Sequence, residues 1–352
     1  MKILMLSIDK KIFEEGSDVR NRMLEYGKLF DELHIVIYTH KGFDNLKIAS
    51  NISLYPTNTG FKFLYFKNAY KICREIIKKH SIDIITSQDA LTNLIAIKLK
   101  RKFKNIKLQV QIHTDFLSKK FKKGSLKNFF RYSGYVKGIK SADCIRAVSE
   151  NIKTKLINNF NVEASKISVL PIFVDIEKIK NTPITVDLHK KYPQFEKIIL
   201  MVSRLEKEKN IPLAISGVEN VKGKVGLVIV GDGSEKNKLK LDDNVVLDGW
   251  QNKETIYSYY KTADLLLVTS DYEGYGMTII EALASGLPVL STDVGIAREA
   301  GAKITERDSI ALNIVKYIEN GPKTAELENY PYENKQEYLE RFKQSFICKK
   351  KK

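Results

Sequence analysis

Through the first 150 residues, short apolar runs alternate with longer stretches whose apolar positions recur every three or four residues. The runs 2–8, 33–38, 83–86, 107–112 and 143–148 are dense in β-branched and aliphatic residues and predict strands. Between them, 19–30, 64–79 and 90–102 have the length and spacing of amphipathic helices. The alternation resumes after residue 195, with strands predicted at 197–202, 226–230, 244–247, 264–268 and 288–291 and helices starting near Asn210, Glu254 and Met277. Strand runs that are apolar throughout belong to parallel sheets covered on both faces. The fold class predicted is therefore α/β, with two doubly wound, Rossmann-like domains.

The pattern lapses over 171–195, which holds three prolines and no clean period. This divides the chain into a first domain (1–170), a linker (171–195), a second domain (196–330) and a tail (331–352). The tail is helical in pattern over 333–346, ends in four lysines, and is expected to cross back to the first domain. In open α/β sheets ligands collect beyond the carboxyl ends of the strands, so a cleft between two such domains is the expected site. No apolar run approaches the ~18–20 residues of a membrane span. The opening residues read as a buried strand rather than a signal peptide. Cys73, Cys144 and Cys348 are far apart and fit no metal-ligand spacing, so neither a disulfide framework nor a zinc site is expected, and a cytoplasmic location fits.

Charge changes the picture once it is located. Of the formal net charge of +17, residues 1–176 carry +16, from 32 Lys/Arg against 16 Asp/Glu. Between Lys98 and Lys140, fourteen basic residues face a single acid, Asp115. An anionic partner for the first half is one reading, and a solvated basic face is the other. Within this stretch, Lys119, Lys120, Lys122 and Lys123 interleave with Phe116, Leu117, Phe121, Leu126, Phe129, Phe130 and Tyr132, the composition of a segment that meets an anionic membrane surface. An ordinary amphipathic helix is the alternative. Nucleic acid is not expected as a partner, because no nucleic-acid-binding fold accompanies the patch.

The richest chemistry lies in 271–289. A strand runs into a loop containing Gly274 and Gly276, and the loop opens a helix. Such glycines let backbone amides approach a ligand, and a helix start offers free N–H groups to an anion, most naturally phosphate. Glu273 and Glu281 would stand about 12 Å apart on a continuous helix. That is too far for two carboxylates to act on one bond, but it suits a clamp on the two ends of a long ligand.

These residues, with Ser203-Arg204-Leu205, Lys209, the run 230–233 containing Gly231 and Gly233, the run 244–249 ending in Gly249, and 285–288, resemble the retaining glycosyltransferases of family 4, with the GT-B fold. The resemblance covers most of the chain. It implies that Glu273 meets the transferred sugar, that Glu281 meets the ribose, and that Arg204 and Lys209 grip the donor diphosphate. It also places Gly231, Gly233, Gly249, Trp250, Gly274, Tyr275, Gly276, Met277 and Thr278 around the donor, and His113 beside the transferred sugar. Asp115 is either an acceptor-side acid or a cap for the following segment. Where relatives carry paired glycines after the first strand, this chain has Gly16, Ser17 and Arg20, read either as an acceptor-side loop or as an N-cap serine and a surface arginine.

The expected reaction moves a hexosyl-type sugar from a UDP- or GDP-sugar to a glycan or lipid-linked acceptor, with retention, in surface polysaccharide or glycolipid synthesis. No cofactor and no metal are expected: no Asp-x-Asp motif falls in the site region, and Asp242-Asp243 precedes a strand as a turn. A nucleotide-sugar epimerase of the same fold and a non-catalytic basic membrane-binding protein are the alternatives.

Overall fold

The structure, a computed structural model, describes residues 1–219, 221 and 223–348. The four terminal lysines lie outside the described residues. The chain divides into two compact units, 1–170 with 336–352, and 171–335.

The first unit is built on an eight-stranded sheet. Its strands are β1 (Lys2–Ser7), β2 (Glu32–Ile37), β3 (Leu46–Ala49), β4 (Ile52–Pro56), β5 (Ile84–Ser87), β6 (Lys107–Ile112), β7 (Cys144–Ala147) and β8 (Ile167–Val169), ordered β3-β4-β2-β1-β5-β6-β7-β8. Every pairing is parallel except β3 with β4. The second unit holds β9 (Lys197–Val202), β10 (Val225–Val230), β11 (Val245–Gly249), β12 (Leu265–Val268), β13 (Val289–Ser291) and β14 (Lys303–Ile304), all parallel, ordered β11-β10-β9-β12-β13-β14. The continuous apolar runs have the cause inferred for them: all six residues of β10 are buried, as are the four of β12. The predicted helices occur as Asp18–Gly27, Tyr65–His80 and Ala90–Lys102 in the first unit and begin at Ile211, Lys253 and Met277 in the second.

Strands β3, β4, β8 and β14 were not anticipated. Strand β4 alternates buried and half-buried residues, and β3, β8 and β14 are short edge strands that need little apolar sequence. Residues 171–195 carry two short helices, Ile176–Asn181 and Leu188–Lys191, and pack within the second unit. There the Tyr330 hydroxyl donates to the Val174 carbonyl at 2.7 Å, the Tyr332 hydroxyl donates to the Pro171 carbonyl at 2.8 Å, and Leu188 is fully buried.

The tail helix Lys335–Gln344 lays its aromatic face on the first unit. Phe342 stacks on Tyr26 with ring centroids 3.9 Å apart, Phe346 meets Phe30 edge-on at 5.1 Å, and Gln109 Nε2 donates to the Ser345 carbonyl at 2.7 Å. This return corrects the expectation about cysteines. Cys144, on β7, forms a disulfide with Cys348, 204 residues away in sequence. Spacing along the chain cannot reveal a pair that only the docked tail brings together. Cys73 stays free and buried, and burial pushes its thiol pKa up.

Closing so long a loop restricts the unfolded chain, typically by about 2–4 kcal/mol. Dithiothreitol, or Cys348→Ser, is therefore expected to lower the urea midpoint of the first unit's unfolding by a corresponding amount. Identical midpoints with and without reductant in the wild type would contradict a formed bond.

Candidate active site

Because the second sheet is parallel, the loops after β9, β10, β11, β12 and β13 all leave from one edge. Backbone contacts lock several of them together. The Leu205 N–H donates to the Asp232 carbonyl at 2.9 Å and the Asp271 N–H to the Glu208 carbonyl at 2.7 Å, while the Thr269 hydroxyl reaches the Lys209 carbonyl at 2.9 Å. The glycines allow this closeness. A Cβ on Gly231 would lie 1.9 Å from the Ser203 carbonyl oxygen, and one on Gly233 would lie 2.4 Å from that of Leu205. In this structure both glycines therefore press backbone on backbone. Gly249 has φ +73° and open space around it, and the neighbouring Trp250 is 73% exposed.

Glu273 and Lys209 form an ion pair, and the Ser270 hydroxyl donates to the same carboxylate oxygen at 2.8 Å. Both side chains are mostly buried, so the pair is better shielded than a surface one. Arg204 is largely exposed and pairs with Glu208 at 3.0 Å. The helix Met277–Ala284 begins at Gly276, with φ +100° and no side-chain cap, so no side chain competes for its start. Gly274 and Tyr275 are buried just before it, Thr278 is partly exposed and Met277 is exposed. Glu281 lies one turn further along. Burial pushes its pKa from the ordinary 4.5 up to about 7, against the pull of the Tyr260 hydroxyl, which donates to it at 3.1 Å.

In the first unit His113 follows β6. Its Nε2 lies 3.0 Å from Gln111 Oε1, the same oxygen that accepts from the Arg146 guanidinium at 3.0 Å, while the Gln111 amide donates to Thr86 Oγ1 at 2.8 Å. Gln111 Oε1 is thus an acceptor, His113 Nε2 carries the proton, and Nδ1 is left as an acceptor. Burial, then Arg146, then Arg22, lower the His113 pKa to about 3, so the ring is neutral at physiological pH. Gln111 and Arg146 were not singled out in the sequence. Their signal was there, a polar residue and a cation inside the apolar strands LQVQI and CIRA.

Asp115 is buried and paired with Lys155 at 2.5 Å. Ser17 is the N-cap of the helix Asp18–Gly27, accepting from the Arg20 N–H at 3.2 Å, and the exposed Gly16 before it has φ +76°. The aromatic-basic segment is only partly as expected. Phe116 and Phe121 are fully buried and belong to the core, because the helix Leu126–Ser141 brings Tyr135 against both rings. Leu126, Phe129 and Phe130 are exposed at 82%, 58% and 71%, and Lys119, Lys120, Lys122 and Lys123 lie on the surface beside them in sequence.

Two family descriptions match the chain: glycosyltransferase family 4 over residues 27–178 and glycosyl transferases group 1 over residues 188–333. Together they account for most of it. The chain belongs to the group 1 glycosyltransferases of family 4. It is 30% identical over 237 residues to alpha-monoglucosyldiacylglycerol synthase of Streptococcus pneumoniae, which is 62% of this chain and 53% of that protein. The chain spans about half the length of the curated relatives it matches. Sucrose-phosphate synthase of Thermosynechococcus elongatus superposes with a TM-score of 0.74 at 16% identity, over 98% of this chain and 94% of that one. HepE of Anabaena, solved in complex with UDP and glucose, gives 0.68 at 18% identity over 92% and 91%. These similarities establish the GT-B fold.

The Glu281 environment makes this chain's stability depend on pH. A carboxyl whose pKa is raised on folding binds more protons folded than unfolded between pH 4.5 and about 7. Its contribution to stability therefore falls as pH rises through that window and stays low above it. Glu281→Gln is expected to flatten this part of the curve and to raise stability at pH 8 relative to wild type, as read by urea midpoints. A wild-type slope of the opposite sign that the variant abolishes would contradict the assignment.

Proposed function

We propose that this chain transfers a hexosyl-type sugar from a UDP- or GDP-sugar to a lipid-linked or glycan acceptor, with retention and without a metal in the transfer step, in glycolipid or surface-polysaccharide synthesis. The observation that carries the reading is the Lys209–Glu273 pair beside an uncapped helix start, on an edge where the loops are backbone-locked. A donor diphosphate at that start would meet the amides of Gly276, Met277 and Thr278 and the positive end of the helix. It would draw Lys209 away from Glu273 and recruit Arg204, so that two cations offset the charge growing on the leaving phosphate. Glu273, released from Lys209, then accepts hydrogen bonds from the sugar hydroxyls. Glu281 accepts them from the ribose, which favours its ionised form. His113, neutral and with Nδ1 as acceptor, would offer a hydrogen-bond acceptor to a bound sugar.

Retention is inherited from the family: the leaving group departs and the acceptor attacks on the same face of the sugar. The HepE complex with UDP and glucose supports a nucleoside diphosphate donor, and the name of the pneumococcal relative supports a lipid acceptor. The basic first unit fits work at an anionic membrane surface. Lys119, Lys120, Lys122 and Lys123 would meet the headgroups and Leu126, Phe129 and Phe130 would insert.

Lys209→Ala is expected to lower kcat by about 10²–10³, with neither Mg²⁺ nor Mn²⁺ restoring it. Glu281→Ala should weaken binding of the free nucleoside diphosphate, whereas Glu273→Ala should spare it and depress transfer. Calorimetry with UDP and GDP, alongside sugar-transfer assays, separates these outcomes. Equal loss of nucleotide affinity in both glutamate variants would contradict the division of roles.

For the membrane surface, co-sedimentation with anionic vesicles is expected at low salt, with little binding to zwitterionic ones. Changing the four lysines to Gln should reduce binding without altering nucleotide affinity. Wild type remaining in the supernatant at low salt would exclude the peripheral association.

A further inference from the structure

The amino edge of the first sheet, opposite the end that carries His113, holds a cluster that the transfer reaction does not use. Glu32 and His34 alternate along β2 and so share one face of the sheet. His80 closes the helix Tyr65–His80, where Ser81, in the left-handed region at φ +49°, turns the chain. One carboxylate oxygen, Glu32 Oε2, lies 2.8 Å from His34 Nε2 and 2.9 Å from His80 Nδ1. The donor atoms of all three side chains lie within 4.8 Å of one another.

We propose that Glu32, His34 and His80 form a zinc site, with solvent as the fourth ligand. Two imidazole nitrogens and one carboxylate oxygen are a donor set that zinc accepts, at about 2.0–2.2 Å from each. Tetrahedral ligands at that radius stand about 3.3 Å apart, so the Glu32 carboxylate oxygen needs to move from each imidazole nitrogen by only about half an ångström. The surroundings suit this role. His34 Nδ1 faces the Tyr55 hydroxyl at 3.0 Å, so the outer nitrogen can carry its proton and leave Nε2 for the metal. Lys2 takes the other carboxylate oxygen, Oε1, at 2.6 Å, which holds Glu32 in place and leaves Oε2 to the ion. His34 is buried, while Glu32 and His80 keep about a quarter of their side chains exposed. A cavity of about 430 Å³, lined by Tyr55, Lys71, Glu75, Lys79 and His80 among others, opens beside His80. The ion would pin the end of the helix Tyr65–His80 to β2, at the edge away from His113.

The test uses untagged full-length protein treated with chelator and then titrated with ZnCl₂ by calorimetry. The expected result is one zinc per chain, bound at least tenfold more tightly than by Glu32→Gln or His80→Gln, with nucleotide affinity unchanged in both variants. Cobalt gives a second reading: wild type with one equivalent of Co²⁺ should show the visible absorption bands of a four-coordinate site, and His80→Gln should lose them. Circular dichroism of the variants separates lost binding from lost folding. No zinc binding by the wild type, or binding by both variants as tight as by the wild type, overturns the proposal.

Discussion

A parallel sheet sends every strand's carboxyl end to one edge, and the candidate chemistry of this chain follows from that constraint. In the second unit the edge gathers Arg204 and Lys209 after β9, Gly231 and Gly233 after β10, Gly249 and Trp250 at the end of β11, and Glu273 with the helix start after β12. These residues span about seventy positions of sequence, yet no long connection is needed to assemble them. The strands can lie parallel because their side chains are apolar on both faces, with helices covering each face. The hydrophobic pattern that sets the fold therefore also sets where the polar residues emerge.

At that edge, position is fixed largely through the backbone. The tight approaches of Gly231 to Ser203 and of Gly295 to Tyr275 leave no space for a Cβ, and the hydrogen bonds from Thr269 and Asp271 tie the loop after β12 to the one after β9. Lys209 and Glu273 are thereby held as a pair whose charges are satisfied within the protein. Glu281 stores a different tension, a carboxyl buried enough to be poised near neutrality. In the first unit, Gln111 and Arg146 hold His113 in one neutral tautomer, so that its free nitrogen can only accept.

Much of this was legible in the sequence, and the reasons are specific. Continuous apolar runs such as VGLVIV and DLLLV announced buried parallel strands, and the glycines around Glu273 announced a loop meeting a helix. The partners of those residues were not legible, because they depend on contacts between distant segments. Lys209 and Glu273 are 64 residues apart, Asp115 and Lys155 are 40 apart, and Cys144 and Cys348 are 204 apart. The pattern also could not say which aromatics of the basic segment face inward. Phe116 and Phe121 pack beneath the helices that follow them, while Phe129 and Phe130 in the same composition stay outside.

The central claim is that the locked loops of the second unit receive a nucleoside diphosphate. Hydrogen–deuterium exchange with and without saturating UDP or GDP tests it most directly, because it reports which backbone amides a ligand protects. The account predicts slowed exchange in peptides spanning 203–209 and 273–281, with the amides of Met277 and Thr278 at the centre of the effect. Binding that leaves those peptides unchanged, or that protects only segments outside the carboxyl edge of the β9–β13 sheet, would contradict it.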